Sequence, residues 1–431
     1  MKNATTTLQN RSWHQGVKIA AGLVSAALVM STLAACGSAK DPAQSLDDAE
    51  IQASAKGLDE QFTKSCKSVF DQSERSHNHM FTLVYDGSAS VTGNLHEALP
   101  ANVAKAIAVA SMHDDGFNLI AVDGADSAPR IVMKNASLRQ AVAGTSARLK
   151  TAKAIPACVA QKTEELKPTS SGTDLGRAVA LAAETLRKGD TLGIVSDWMW
   201  TSGVGGLTDA AVKAGAKDAA DASAQSQPID LKGADLVTGG VAETSTMLPD
   251  SGRTWMRDYA RALCSDWKAG GCQAISLDPL NATKSEGLPE DSTPFFPIGS
   301  CKGGAASYEL GNAYFAADSP QLTEEAYKAL ADPVNLMKAN PASTLTIVGH
   351  TASVSKNANS GMQLSVDRAK AVAQVFTGNG IDAKRISATG VGDSQPREND
   401  LNADGTQNES VAQRERRVDI TVEGVSQCLA Q

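Results

Sequence analysis

Short apolar runs alternate with longer stretches of helical period across roughly 77–278. Strands are predicted at 79–85, 117–122, 130–133, 191–195, 234–238 and 273–277, and helices at 100–112, 137–149, 174–186 and 255–268. Such alternation predicts an α/β domain with a mostly parallel sheet. A weaker helical pattern at 209–222 lies within a long Ala-, Gly-, Ser- and Asp-rich connection. Before this domain, Asp47 and Asp48 open a predicted helix running towards Val69, with Leu46, Ile51, Leu58, Phe62 and Val69 as its apolar stripe. Periodicity disappears over the Pro-rich segment 279–300, which reads as a linker, and resumes to the end of the chain.

The amino terminus stands apart. Lys2, Arg11 and Lys18 precede an apolar run of small residues at 19–33 that ends in Leu33-Ala34-Ala35-Cys36. That run is short for a membrane-spanning helix. It resembles a bacterial lipoprotein signal, which implies cleavage after residue 35, acylation of Cys36 and anchoring to a membrane surface. An ordinary secretory signal that happens to end near a cysteine is the alternative. The expected organisation is therefore a signal peptide at 1–35, a lipid-anchored tether and helix at 36–76, an α/β domain at 77–278, a linker at 279–300 and a last domain at 301–431.

With 42% apolar and 20% charged residues among 431, the chain is globular in composition. Its net charge of −8 supplies no basic footprint for nucleic acid. Besides Cys36 the chain has Cys66, Cys158, Cys264, Cys272, Cys301 and Cys428, an even set that reads as disulfides in an exported protein. Placement within domains favours Cys66–Cys158, Cys264–Cys272 and Cys301–Cys428, with free buried thiols as the alternative.

Candidate chemistry begins at the end of the first predicted strand, in Asp86-Gly87-Ser88-Ala89-Ser90. The oxygens of Asp86, Ser88 and Ser90 alternate along the chain and can converge, and hard oxygens suit Mg²⁺ or Ca²⁺. By itself the stretch reads equally as a polar turn. Thr173, ahead of an Ala/Leu-rich helix, and Asp197, at the end of another apolar strand, follow in order. This series resembles the metal-ion-dependent adhesion site of von Willebrand factor A domains. The resemblance implies a doubly wound, mostly parallel sheet of that type, with Asp86, Ser88, Ser90, Thr173 and Asp197 around one divalent cation. Mg²⁺ is expected, with Ca²⁺ or Mn²⁺ as alternatives, and a protein ligand would complete the site. Taken singly, Thr173 is also an ordinary helix cap and Asp197 an ordinary strand-end residue. Trp198 and Trp200 offer either an aromatic ligand surface or rim packing.

The last domain carries five ordered motifs: Gly349-His350-Thr351 after a strand, Leu364-Ser365-Val366-Asp367-Arg368 opening an amphipathic helix, Gly380-Ile381, Gly390-Val391-Gly392, and Arg416-Arg417-Val418-Asp419. Together they resemble the OmpA-like peptidoglycan-binding domain, which implies an α+β sandwich gripping the diaminopimelate arm of the cell-wall peptide. Thr351, Leu364, Arg368 and Arg417 are the positions carried over to that role. A guanidinium at Arg368 suits a ligand carboxylate. The family's aspartate after Gly-His-Thr, which faces the ligand's ammonium, is replaced by Ala352. Glu415 likewise stands in place of the asparagine before the paired arginines.

The chain lacks a serine-hydrolase elbow with supporting residues, a phosphate-cradling loop and a zinc-hydrolase His-Glu-x-x-His. Binding rather than catalysis is expected. The residues and resemblances point to a lipid-anchored protein on the extracytoplasmic face of a cell membrane that holds peptidoglycan and engages a partner at a cation site. A passive spacer between membrane and wall is the alternative.

Overall fold

The computed structural model describes residues 41–51, 66, 70, 76–88, 91, 99–125, 128–138, 142–163, 166, 169–244, 248–275, 294, 296, 298–302, 304–353, 358–402, 405–426 and 428. Cys36, Ser90 and most of the predicted helix towards Val69 lie outside them. A 3-10 turn at Pro42–Ser45 precedes Asp47, whose carboxylate accepts the amide N–H of Ala49 at 2.9 Å.

The first sheet has six strands: β1 (Met80–Asp86), β2 (Gly116–Val122), β3 (Arg130–Ser137), β4 (Thr191–Val195), β5 (Asp235–Gly239) and β6 (Gly271–Ile275). Their order is β3-β2-β1-β4-β5-β6, and all neighbours are parallel except β2 and β3. Burial of both faces explains why the central strands are continuous apolar runs. Phe81, Leu83 and Tyr85 of β1 enter one core with residues of α1 (Ala101–Met112) and α2 (Thr145–Thr163), while Val84 enters the other. That second core includes side chains of α3 (Leu175–Ala183), α5 (Ala216–Ser226) and α6 (Asp250–Asp266).

Two helix expectations change. Residue 137 does not begin a helix; it ends β3, because antiparallel pairing draws 130–137 into the sheet, with Phe117 opposite Ala136 and Gly116 opposite Ser137. Helix α2 begins only after Gly144, which takes φ +87°. Pairing with a neighbouring strand overrides the helical periodicity here. The stretch predicted as one helix at 209–222 is two, α4 (Asp209–Ala214) and α5, because Gly215 between them adopts φ +104°.

The second sheet has the order β10-β9-β11-β8-β7, built from β7 (Gly299–Lys302), β8 (Ala305–Gly311), β9 (Thr344–His350), β10 (Ile386–Gly392) and β11 (Arg417–Glu423). Only the β9–β10 pair is parallel. Leu345, Ile347, Val418, Ile420 and Val422 alternate inward and meet Ala369, Val372 and Phe376 of α9 (Ala358–Gly378). Three shorter helices complete this part: α7 (Glu324–Ala329), α8 (Ala331–Ala339) and α10 (Glu409–Glu415). Gly349 and Gly390 lie opposite each other in β9 and β10, directly under α9. A Cβ at Gly349 would fall 2.0 Å from the Ser365 carbonyl oxygen, so glycine there permits the helix to approach.

The segment expected to be linker is partly structured at its end. Phe296 is buried edge-on against Trp255 with ring centroids 5.4 Å apart, and Gly299–Lys302 is already strand. Disulfides join Cys66 to Cys158, Cys264 to Cys272 and Cys301 to Cys428. Among the described residues no helix is long and apolar enough to cross a membrane.

Candidate functional sites

In the first sheet, β1 and β4 are parallel neighbours, yet the chain leaves β1 for β2 on one side and β4 for β5 on the other. Ligands of open α/β sheets bind at such a reversal, beyond the carboxyl ends of the strands. Asp86 ends β1 and Asp197 follows β4 by one residue beyond Ser196. Asp86, Ser88, Thr173 and Asp197 are all fully buried.

Each carboxylate is held by its own loop. Asp86 Oδ1 accepts the Ser88 amide N–H at 2.9 Å, and Asp197 Oδ1 accepts that of Met199 at 2.9 Å. Asp86 Oδ2 accepts the Ser196 hydroxyl at 2.6 Å, and the same hydroxyl oxygen accepts the Trp198 amide N–H. Ser196 was not singled out in the sequence; the signal was its place directly before Asp197, level with Asp86 across the two strands. Trp198 adopts φ +65°, a left-handed conformation that is costly for a bulky residue and that clusters at functional sites.

The Thr173 loop is tied to the same region. The Thr173 amide N–H donates to Thr201 Oγ1 at 3.0 Å, and its carbonyl accepts the Ser202 amide N–H at 3.2 Å. Asp174, not Thr173, caps α3 by accepting the Arg177 amide N–H. Burial pushes the Asp174 carboxyl above its usual range, against the opposing pull of Arg177. Trp198 and Trp200 are fully buried: Trp198 stacks on Trp267 at 5.9 Å, and Trp200 lies against Gly176 of α3. The rim-packing alternative is therefore the one observed, and neither indole offers an exposed ligand surface. Asp86 is likewise inside the fold and not a solvent-facing strand tip.

As a donor set these residues are two carboxylates and hydroxyls, all oxygen, which fits a hard divalent cation that retains water. Among the described residues no group of three or more His, Cys, Asp or Glu side chains is arranged to hold a metal.

In the last domain the loop after β9 meets α9 and β10. The Thr351 amide N–H donates to the Gly392 carbonyl at 2.9 Å, and the Gly392 N–H donates to Ser365 Oγ at 3.0 Å. Arg368 lies one helical turn beyond Ser365. It is 2% exposed, its Nε–H donates to the Ser319 carbonyl at 3.1 Å, and its guanidinium sits 4.8 Å from the centre of the Phe315 ring. Among the described residues Arg368 forms no ion pair. Burial lowers its pKa, with the more distant Asp318 working the other way. The Thr351 hydroxyl is buried and has no hydrogen-bond partner among the described residues.

Arg417 is arranged differently. Its Nη1 donates to Glu415 Oε2 at 2.7 Å and its Nε to Asp419 Oδ2 at 3.3 Å, with both Arg417 and Glu415 2% exposed. Glu415 Oε1 also accepts the amide N–H groups of Arg397 and Glu398. This places Arg417 in an internal ion cluster, held by the glutamate that replaces the family's asparagine. Leu364 is half-buried on α9, Ala352 is 2% exposed, and Asp367 accepts a bond from Gln363 on the helix surface.

Residues 314–410 match the OmpA family. Outer membrane porin F of Pseudomonas aeruginosa is 33% identical over 92 residues, 21% of this chain and 26% of that protein. Photosystem I P700 chlorophyll a apoprotein A2 of Gloeobacter violaceus is 32% identical over 111 residues, 26% of this chain and 13% of its own length. The chain thus spans about a quarter or less of the curated relatives it matches. Among solved structures, a MotB-like protein from Desulfovibrio vulgaris shows 26% identity and a TM-score of 0.25, covering 29% of this chain and 80% of that one. The peptidoglycan-associated lipoprotein of Burkholderia pseudomallei shows 20% identity and a TM-score of 0.23, covering 26% and 87%. The carboxyl-terminal domain is OmpA-like.

Proposed function

We propose that this chain is a cell-envelope binding protein that attaches to peptidoglycan through its OmpA-like domain. The observation that carries this reading is Arg368, a guanidinium buried without an ion-pair partner among the described residues, in a helix of the family-matched segment. A buried charge without its counter-charge is costly, and a ligand carboxylate supplies what the fold omits. The remainder of the proposal is a lipid anchor at Cys36 on the extracytoplasmic face of a membrane, a von Willebrand A-like first domain, and a divalent cation there that recruits a protein partner. Asp86, Ser88, Thr173 and Asp197 would hold that cation, whose charge would attract an acidic group of the partner. The chain acts by binding and not by catalysis. A passive spacer is the second reading, favoured by Ala352 and by the hydrogen bonds that already engage Asp86.

The test is co-sedimentation of the full-length protein with purified peptidoglycan sacculi. The wild type is expected to sediment with them and Arg368→Ala to remain in solution. Full-strength binding by Arg368→Ala would remove this site from the function.

A further inference from the structure

The first domain and the last meet through one aromatic side chain. Phe296 is buried and belongs to the core of the first domain, the only described residue beyond β6 that joins the apolar clusters there. Ile298 is buried in the core of the last domain, and its carbonyl accepts the Glu309 amide N–H of β8 at 2.7 Å. Two positions of sequence thus separate a residue seated in one domain from a residue seated in the other, and that much chain spans at most about 7 Å. Among the described residues, none of the extensively packed pairs of helices and strands joins the two domains.

The seat for Phe296 is built on the first half of α6. Its ring meets Trp255 edge-on, and Trp255 stacks on Tyr259 with centroids 5.3 Å apart. The hydroxyls of Tyr259 and of Ser223 in α5 hydrogen-bond at 2.9 Å, and Arg253 Nη2 pairs with Glu243 Oε1 at 2.6 Å, so the seat is fixed by the first domain itself. Gly252 completes it: the nearest neighbours of a Cβ there would all be Phe296 atoms, the first at 3.2 Å. On both sides of the seat the chain is pinned covalently. Cys272 of β6 is joined to Cys264 of α6 before it, and Cys301 of β7 to Cys428 after it. A pull on the connection cannot strip the chain past either cysteine without breaking a disulfide, whereas Phe296 is held by noncovalent packing alone. One buried ring is also a far smaller interface than either core, and small interdomain contacts open more readily than cores do.

We propose that Phe296 is a releasable latch: seated, it clasps the two domains together, and unseated, it lets them part while both stay folded. Ile275, the end of β6, lies 23 positions before Ile298. Release therefore lengthens the chain that can separate the domains from about 7 Å to at most about 80 Å. The protein then has a short form and a long form, and its reach changes without the unfolding of either sheet. Neither the peptidoglycan reading nor the cation reading is needed for this.

The experiment is small-angle scattering of the full-length protein, without urea and through a urea titration. Wild type is expected to be clasped, and Phe296→Ser to gain roughly 20–30 Å in maximum dimension, the root-mean-square span of a free chain of that length. Its circular dichroism is expected to remain that of the wild type. Gly252→Leu favours the helix but crowds the seat, and is expected to extend the protein in the same way; it decides the matter should Phe296→Ser misfold. In the wild type, extension is expected at urea concentrations below those that unfold either domain. Folded variants with the wild-type scattering profile overturn the latch, as does a wild type that is extended from the outset. Extension of the wild type only together with unfolding overturns release as a separate step.

Discussion

The two buried polar centres of this protein handle charge in opposite ways. At the strand tips of the first sheet, the carboxylates of Asp86 and Asp197 are of one sign and are anchored by neutral donors, the amides of Ser88 and Met199 and the hydroxyl of Ser196. In the OmpA-like domain the buried centre is a cation: Arg368 donates to the Ser319 carbonyl, lies over the Phe315 ring and has no ion pair among the described residues. A centre of one sign favours a compact cation, which can lie between like charges and offset both. A lone buried guanidinium favours a ligand that brings a carboxylate. Within the same OmpA-like domain, Arg417 and Glu415 show the contrasting case of opposite charges paired directly with each other.

That contrast can be tested by stability. Removing Glu415 leaves Arg417 buried without its main partner and deprives the amides of Arg397 and Glu398 of their acceptor. Glu415→Ala is expected to destabilise the domain by roughly 3–5 kcal/mol in urea denaturation. Arg368→Ala removes a charge that has no ion pair to lose, and is expected to cost about 1 kcal/mol or less, mainly its contact with Phe315. Equal losses in the two variants would mean that Arg368 is a structural residue like Arg417.

The corresponding test in the first sheet has a smaller stability effect and a separate binding readout. Asp86→Ala strands the Ser196 hydroxyl and the Ser88 amide, at a cost of roughly 1–3 kcal/mol. In titration calorimetry of the full-length protein, wild type is expected to bind Mg²⁺, Mn²⁺ or Ca²⁺ and Asp86→Ala to bind none. Wild type without heat from any of the three would leave the strand-tip carboxylates as structural groups.

The strands of the first sheet were legible because both of their faces are buried, which makes β1, β2 and β4 unmistakable apolar runs ending at Asp86, Val122 and Val195. The extension of β3 to Ser137 was not, because only its pairing with β2 separates it from a helix start. In the OmpA-like domain Arg368 was visible as the fifth residue of a compact motif. Asp400 was hidden, since its proximity to Ser353 depends on a loop that returns across 47 residues. Asp367, the neighbour of Arg368 in sequence, is directed by the helix to Gln363 on its outer side. Arg417 was named for a ligand, and only the fold reveals that Glu415, two residues earlier, engages it.

The smallest expected effect concerns the paired cluster and its dependence on pH. Asp419 receives His350 Nε2 at 3.2 Å, Arg397 Nη2 at 2.8 Å and Arg417 Nε at 3.3 Å. Burial alone raises the Asp419 pKa, but the hydrogen bond from His350 and the charges of Arg417 and Arg397 prevail and hold it below the usual carboxylate range. A carboxyl depressed in the folded state adds stability that is fully present above its unfolded pKa of about 3.9, and that is lost as pH falls through the folded value. Asp400 and Glu409 are depressed too, so they contribute with the same sign. Urea midpoints of the wild type are therefore expected to decline below about pH 4. Asp419→Asn, which cannot ionise, is expected to begin from a lower midpoint at neutral pH and to decline less steeply over the acid range. Because Asp419 is partly open to solvent, with its side chain 30% exposed, the difference between the two curves should be modest and should shrink as salt is added. Parallel acid limbs for the two proteins would show that the cluster around Asp419 contributes nothing to the acid response, and would leave the carboxylates of Asp400 and Glu409 to account for it.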